Sequence, residues 1–132
     1  MTDRELACAA ISASEYSYAP YSGCRVGAAL LTKNGKVFTG CNIENASFGA
    51  TVCAERTALF KAVSEGETEF EKLAVYGKTK DCADIYFYPC GICRQTLSEF
   101  CNEDFVIITA KSPDDLVTDT LGSLLKNGFK LD

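Results

Sequence analysis

Histidine is absent from this 132-residue chain. Its absence excludes Ser-His and Cys-His nucleophile pairs and every histidine-ligated metal site, so a bound metal must be held by sulfur or carboxylate. Basic residues are outnumbered, since 13 Lys and Arg against 18 Asp and Glu leave a net charge of −5. A binding track for nucleic acid needs the opposite sign, so no nucleic-acid partner is expected. No apolar run approaches the ~20 residues that span a bilayer, and the charged start Met1-Thr2-Asp3-Arg4-Glu5 has no hydrophobic export segment. No membrane association is therefore expected, and the cytoplasm is the expected compartment. Internal repeats, low-complexity tracts and Pro/Gly/Ser-rich linkers are also missing, which points to one domain over residues 1–132.

What is present suffices for a core, because 47% of the residues are hydrophobic. Thr2 and Glu5 form a capping-box pattern ahead of an apolar stripe at Leu6, Ala9, Ala10 and Ala13, predicting a helix over 3–14. Val26 to Thr32 and Val37 to Gly40 flank Lys33-Asn34-Gly35-Lys36, a strong hairpin signal. Ala54 to Val63 reads as a second helix closed by Gly66, and Gly91 to Phe100 as a third that starts near Pro89. Leu73 to Tyr76 and Phe105 to Thr109 read as buried strands, Ile85 to Tyr88 as a weaker one, and Leu121 to Leu125 as a short final helix. The order predicts an α/β fold, a mixed central β-sheet between helical layers, antiparallel at the hairpin and parallel across the helical crossovers.

Eight cysteines in a chain without an export segment suggest metal or catalysis rather than disulfides. Three of them stand at predicted helix starts, in Cys53-Ala54-Glu55 and Pro89-Cys90-Gly91-Ile92-Cys93. Cys90 and Cys93 share a helical face and can grip one ion, and Cys53 can supply a third thiolate. Three protein ligands leave a fourth position open, as in catalytic zinc sites, where the ion lowers the pKa of bound water to ~7. Glu55 is then the candidate proton carrier. Three thiolates around Zn²⁺ carry a net −1, which the positive ends of two helices and a nearby Arg56 would offset.

Other readings compete. A lone Cys-x-x-Cys is also a redox dithiol motif, but that motif calls for no third cysteine. Cys24, Cys41, Cys82 and Cys101 are spare and could complete a structural four-cysteine zinc site. Such a site demands neither the Cys-x-Glu nor the proline before Cys-x-x-Cys, so the spare cysteines read as small buried hydrophobes.

Thr51-Val52-Cys53-Ala54-Glu55-Arg56 and Tyr88-Pro89-Cys90-Gly91-Ile92-Cys93-Arg94-Gln95 match the zinc-deaminase pattern in its three-cysteine form. With Tyr18-Ala19-Pro20-Tyr21-Ser22, Val26-Gly27-Ala28-Ala29 and Asn42-Ile43-Glu44-Asn45-Ala46 in the same order, the chain resembles the cytidine deaminases over nearly its whole length. The resemblance implies a three-layer αβα sandwich, one Zn²⁺ per subunit and a homotetramer with shared active sites. It implies hydrolytic deamination of cytidine and deoxycytidine to uridine and deoxyuridine, a reaction of pyrimidine salvage.

Asn42 and Glu44, two apart, offer an amide and a carboxylate to ribose hydroxyls, and the resemblance places them on the 3′-hydroxyl; a polar turn after the second strand is the alternative reading. The resemblance also gives the Tyr88 carbonyl to the leaving amino group, while the Ala54 amide, at a helix start, can hold the base carbonyl. Phe129 is a candidate base-covering residue donated by an adjacent subunit, with an ordinary core contact as the alternative. Three positions depart from the family pattern: Cys24 stands where a phenylalanine commonly packs on the pyrimidine, Phe48 where tyrosine is frequent, and Lys126 where proline is usual. Cys24 therefore leaves open a second substrate class, a cytosine-nucleoside analogue of the blasticidin-S type. A non-catalytic zinc-binding module is a third reading.

Overall fold

The computed structural model describes residues 1–81 and 85–131. Helix α1 (Asp3–Ser14) starts where the Thr2 hydroxyl accepts the Glu5 amide, and it buries Leu6, Ala7, Ala10 and Ala13. Strands β1 (Arg25–Thr32) and β2 (Val37–Cys41) form the predicted hairpin. Helix α2 (Ala54–Ser64) leads to β3 (Phe70–Lys78), helix α3 (Gly91–Ser98) to β4 (Val106–Ser112), and β5 (Asp115–Thr120) runs into the short helix α4 (Leu121–Leu124).

The sheet order is β2-β1-β3-β4-β5, with β3 and β4 parallel and every other neighbouring pair antiparallel. Alternate residues of the inner strands supply two cores. Leu30, Leu73, Val75 and Ile107 pack with Ala58 and Leu59 of α2 and Leu97 of α3, while Ala29, Leu31, Ala74 and Ile108 pack with Leu6 and Ala10 of α1. With both faces covered, the inner strands read as continuous apolar runs rather than as alternation. Helices on both faces make this the expected three-layer α/β sandwich.

Two sequence expectations are corrected. Ile85 to Tyr88 is not a strand. Both edges of the preceding strand β3 are already taken by β1 and β4, so this segment crosses the end of the sheet, where the Tyr86 hydroxyl donates to Asp115 at 2.6 Å. Conversely, β5 was not anticipated, because it is a half-exposed edge strand of sequence Asp-Leu-Val-Thr-Asp-Thr with little apolar content to betray it.

The packing of α2 on the hairpin fixes where the site begins. Gly40 allows the close approach: a Cβ there would lie 2.5 Å from the Ala58 amide nitrogen and 2.6 Å from the Ala54 carbonyl oxygen. Both are backbone atoms, so the helix itself would have to move. Gly40→Ala is expected to cost ~1–3 kcal/mol of overpacking, read as a lower urea midpoint at unchanged slope. An unchanged midpoint would show that α2 shifts freely.

Candidate functional site

Helices α2 and α3 follow β2 and β3, which run parallel to each other on either side of β1, so both helices start at the same end of the sheet. Loops at the carboxyl ends of strands are the usual place for a site in an α/β fold. Cys53 is the residue capping α2 and Cys90 the residue capping α3, where unpaired helix-terminal amides favour negative charge. The Cys53 and Cys90 sulfurs are 3.5 Å apart, and those of Cys90 and Cys93 3.3 Å. All three sulfurs lie within 4.8 Å of one another. Zn–S bonds of ~2.3 Å in a tetrahedron put sulfurs about 3.8 Å apart, so this donor set fits the ion with a shift of a few tenths of an ångström. Among the described residues, Cys24, Cys41 and Cys101 do not join the cluster, and Cys82 lies outside those residues. Cys101 sits instead in the core on the α2 side, where burial pushes its thiol up to about 12.

Electrostatics prepares the cluster for a cation. A hydrogen bond from Cys93, then Arg56 and Cys90, hold the Cys53 thiol down at about 5. Cys93 is pushed the other way, because it retains the proton shared with Cys53 and is buried. A divalent cation held by the three sulfurs would take the place of that proton. Arg56 Nη2 donates to the Cys53 sulfur at 3.6 Å, as its spacing in the sequence suggested. Glu55 is 4% exposed, and burial, followed by the charge at Cys53, raises its carboxyl to about 7. Such a group takes up and releases protons near neutrality.

Two of the three cysteines and Glu55 open onto a cavity of about 240 Å³. Cys53, Ala54, Glu55 and Cys90 line one part of it, with Tyr88 beside them. Asn42 and Glu44 line it as well, and Val26, Val52 and Phe87 complete apolar wall. Sequence reasoning missed Phe87, because its segment resembled a strand.

Asn42 and Glu44 also brace the loop before β1. The Asn42 amide accepts from the Val26 N–H at 2.9 Å and donates to the Cys24 carbonyl at 2.8 Å. The Glu44 carboxylate accepts the Tyr21 and Ser22 amides at 2.9 and 3.1 Å and the Ser22 hydroxyl at 2.5 Å. These bonds to Ser22 and Tyr21 hold the Glu44 carboxyl below its ordinary value. Glu44→Ala is expected to leave both amides unprotected in hydrogen exchange while β1 stays protected. Retained protection at Tyr21 and Ser22 would show that the loop holds itself.

Cys24 and Phe129 do not line the cavity within this chain. The backbone of Phe129 is paired with the Gln95 side chain on α3, at 2.7 and 3.4 Å, and the residue is left 66% exposed. Arg94 ties the same region together by donating to the Pro89 and Leu124 carbonyls at 2.6 and 2.7 Å.

Residues 1–109 match the family model described as the cytidine and deoxycytidylate deaminase zinc-binding region. A cytidine deaminase from Halalkalibacterium halodurans is 48% identical over 91% of this chain and 88% of its own length. The crystal structure of a cytidine deaminase from Burkholderia pseudomallei superposes with a TM-score of 0.89 at 44% identity, covering 98% of this chain and all of that one. A blasticidin-S deaminase from Bacillus cereus is 36% identical over 63% of this chain and 62% of its own. Among the described residues no helix is long and apolar enough to cross a membrane.

Proposed function

Because the chain belongs to the cytidine and deoxycytidylate deaminase zinc-binding family, we propose that Cys53, Cys90 and Cys93 hold its zinc while Glu55 moves the protons of the reaction. The chain is a hydrolytic cytidine deaminase: cytidine and water give uridine and ammonia. When bound, the ion supplies the Lewis acidity that makes hydroxide available near neutral pH. Glu55 accepts the proton released from water and delivers it to N3 of the base, then passes a second proton to the 4-amino group as ammonia leaves. The observation that carries this reading is a buried carboxyl poised near neutrality beside three converging thiols, two of them at the wall of a cavity.

The proposal extends to the residues that line the cavity and to Arg56. The Ala54 amide holds the base carbonyl, and the Tyr88 carbonyl accepts from the departing amino group. Asn42 and Glu44 keep acceptor and donor capacity for the sugar hydroxyls beyond the bonds that brace the loop. Arg56 withdraws negative charge from Cys53 and so keeps the ion a strong acid. Deoxycytidine is a second substrate, and pyrimidine salvage in the cytoplasm is the setting. The chain works as one domain in a homotetramer with shared active sites. Phe48, 83% exposed, and Phe129, 66% exposed, support that assembly as surfaces for neighbouring subunits, with Phe129 reaching an adjacent site.

One assay tests the reading. Loss of ultraviolet absorbance from cytidine, deoxycytidine, free cytosine and blasticidin S is followed with zinc measured on the same sample. Turnover of both nucleosides at one zinc per chain is expected. Turnover of blasticidin S with none of cytidine would overturn the substrate assignment.

A further inference from the structure

The pyrimidine ring needs an apolar wall, and Cys24, in the loop before β1, does not supply one. The backbone of that residue is committed elsewhere, its amide donating to the Ser22 hydroxyl at 3.0 Å and its carbonyl accepting from Asn42 at 2.8 Å. Its side chain does not line the cavity. Phe87 does, alongside Ala54, Glu55 and Val26.

The placement of that ring is built into the sheet. Val26 pairs with Gly77 across the β1–β3 ladder, so the two positions are neighbours on adjacent strands. A Cβ on Gly77 would meet three Phe87 ring atoms at 2.5 to 2.9 Å. The ring therefore occupies the space that any other residue at 77 would fill, next to Val26. One aromatic and one branched side chain make a continuous apolar surface there, beside the residues that carry the chemistry.

We propose that Phe87 is the apolar wall on which the pyrimidine packs, supplied from the segment before Pro89. This deepens the cytidine deaminase reading and rests on it. Contact made equally with substrate and transition state changes KM and leaves kcat alone. Phe87→Leu is expected to raise KM for cytidine about three- to tenfold, with kcat nearly constant and zinc at one per chain. Phe87→Tyr, which keeps the ring, should restore KM.

The chain has no tryptophan, so Phe87→Trp places a single indole reporter in the wall. Uridine should quench its emission saturably, at the concentrations that inhibit the wild-type protein. Cys24→Phe should fail to lower KM, because the subsite already has its ring. Unchanged KM in Phe87→Leu, indole emission indifferent to inhibitory uridine, or a lower KM in Cys24→Phe would each overturn the assignment. So would a fall in kcat with loss of zinc, the mark of a structural role. Should Phe87→Leu fail to fold, the indole titration decides. A wild-type protein that leaves cytidine unchanged defeats the proposed function itself, whereas a wild-type protein that converts it while the variants behave alike defeats only the role of Phe87.

Discussion

Glu55→Gln should retain zinc and bind uridine, yet lose turnover by about 10²–10⁴-fold or more. Glutamine has nearly the shape of glutamate and can still hydrogen-bond, but it cannot accept a proton from water or return one to nitrogen. The lower figure suits a carrier used once. Two successive transfers through the same carboxyl argue for the upper end. Because Glu55 is only 4% exposed, bulk water has little access to replace it. Steady-state kinetics with elemental analysis of the same preparation reads both halves of the result. Near-native kcat in the zinc-loaded variant would remove Glu55 from the mechanism, whereas loss of zinc would show that its part is in building the metal site.

Cys93→Ala is expected to lower zinc from one per chain to near zero and to abolish activity with it. Cys93 is fully buried at the first turn of α3 and lies 3.3 Å, sulfur to sulfur, from Cys90, so no exposed side chain is positioned to replace it. Cys53→Ala and Cys90→Ala should do the same. Cys101→Ala is the internal comparison, since that thiol lies in the core and should leave zinc untouched. Zinc at full stoichiometry in all three of the first variants would defeat the ligand assignment.

The metal cluster was legible in the sequence because its determinants are local. A proline-led Cys-x-x-Cys and a Cys-x-Glu each mark a helix start, and helix geometry then presents their sulfurs. Arg56 was legible for the same reason, three residues from Cys53. What the sequence hid is set by partners far along the chain. The sequence offers Asn42 and Glu44 as polar groups for a sugar or as a polar turn, while their bonds to the Tyr21–Val26 backbone depend on pairings 16 to 23 residues apart. Phe87 showed an apolar residue in a short apolar run, and only the absent side chain of Gly77 on another strand explains where the ring goes. The edge strand β5 was hidden by the opposite circumstance: it is stabilised by its ladder with β4, and its side chains carry little of the apolar signal that sequence reading relies on.

The two helix starts that meet at the sulfur cluster follow strands that are not neighbours, with β1 lying between β2 and β3. No ladder of backbone hydrogen bonds joins β2 directly to β3. A metal ion held by this cluster would be a tether as well as a reagent, closing a loop between Cys53 and Cys90, 37 residues apart, whose ends the sheet holds only through an intermediary. An ion that binds the folded chain and not the unfolded one draws the population toward the native state in proportion to its free concentration. Bound zinc would then add to the stability that the two apolar cores already supply, before any nucleoside arrives.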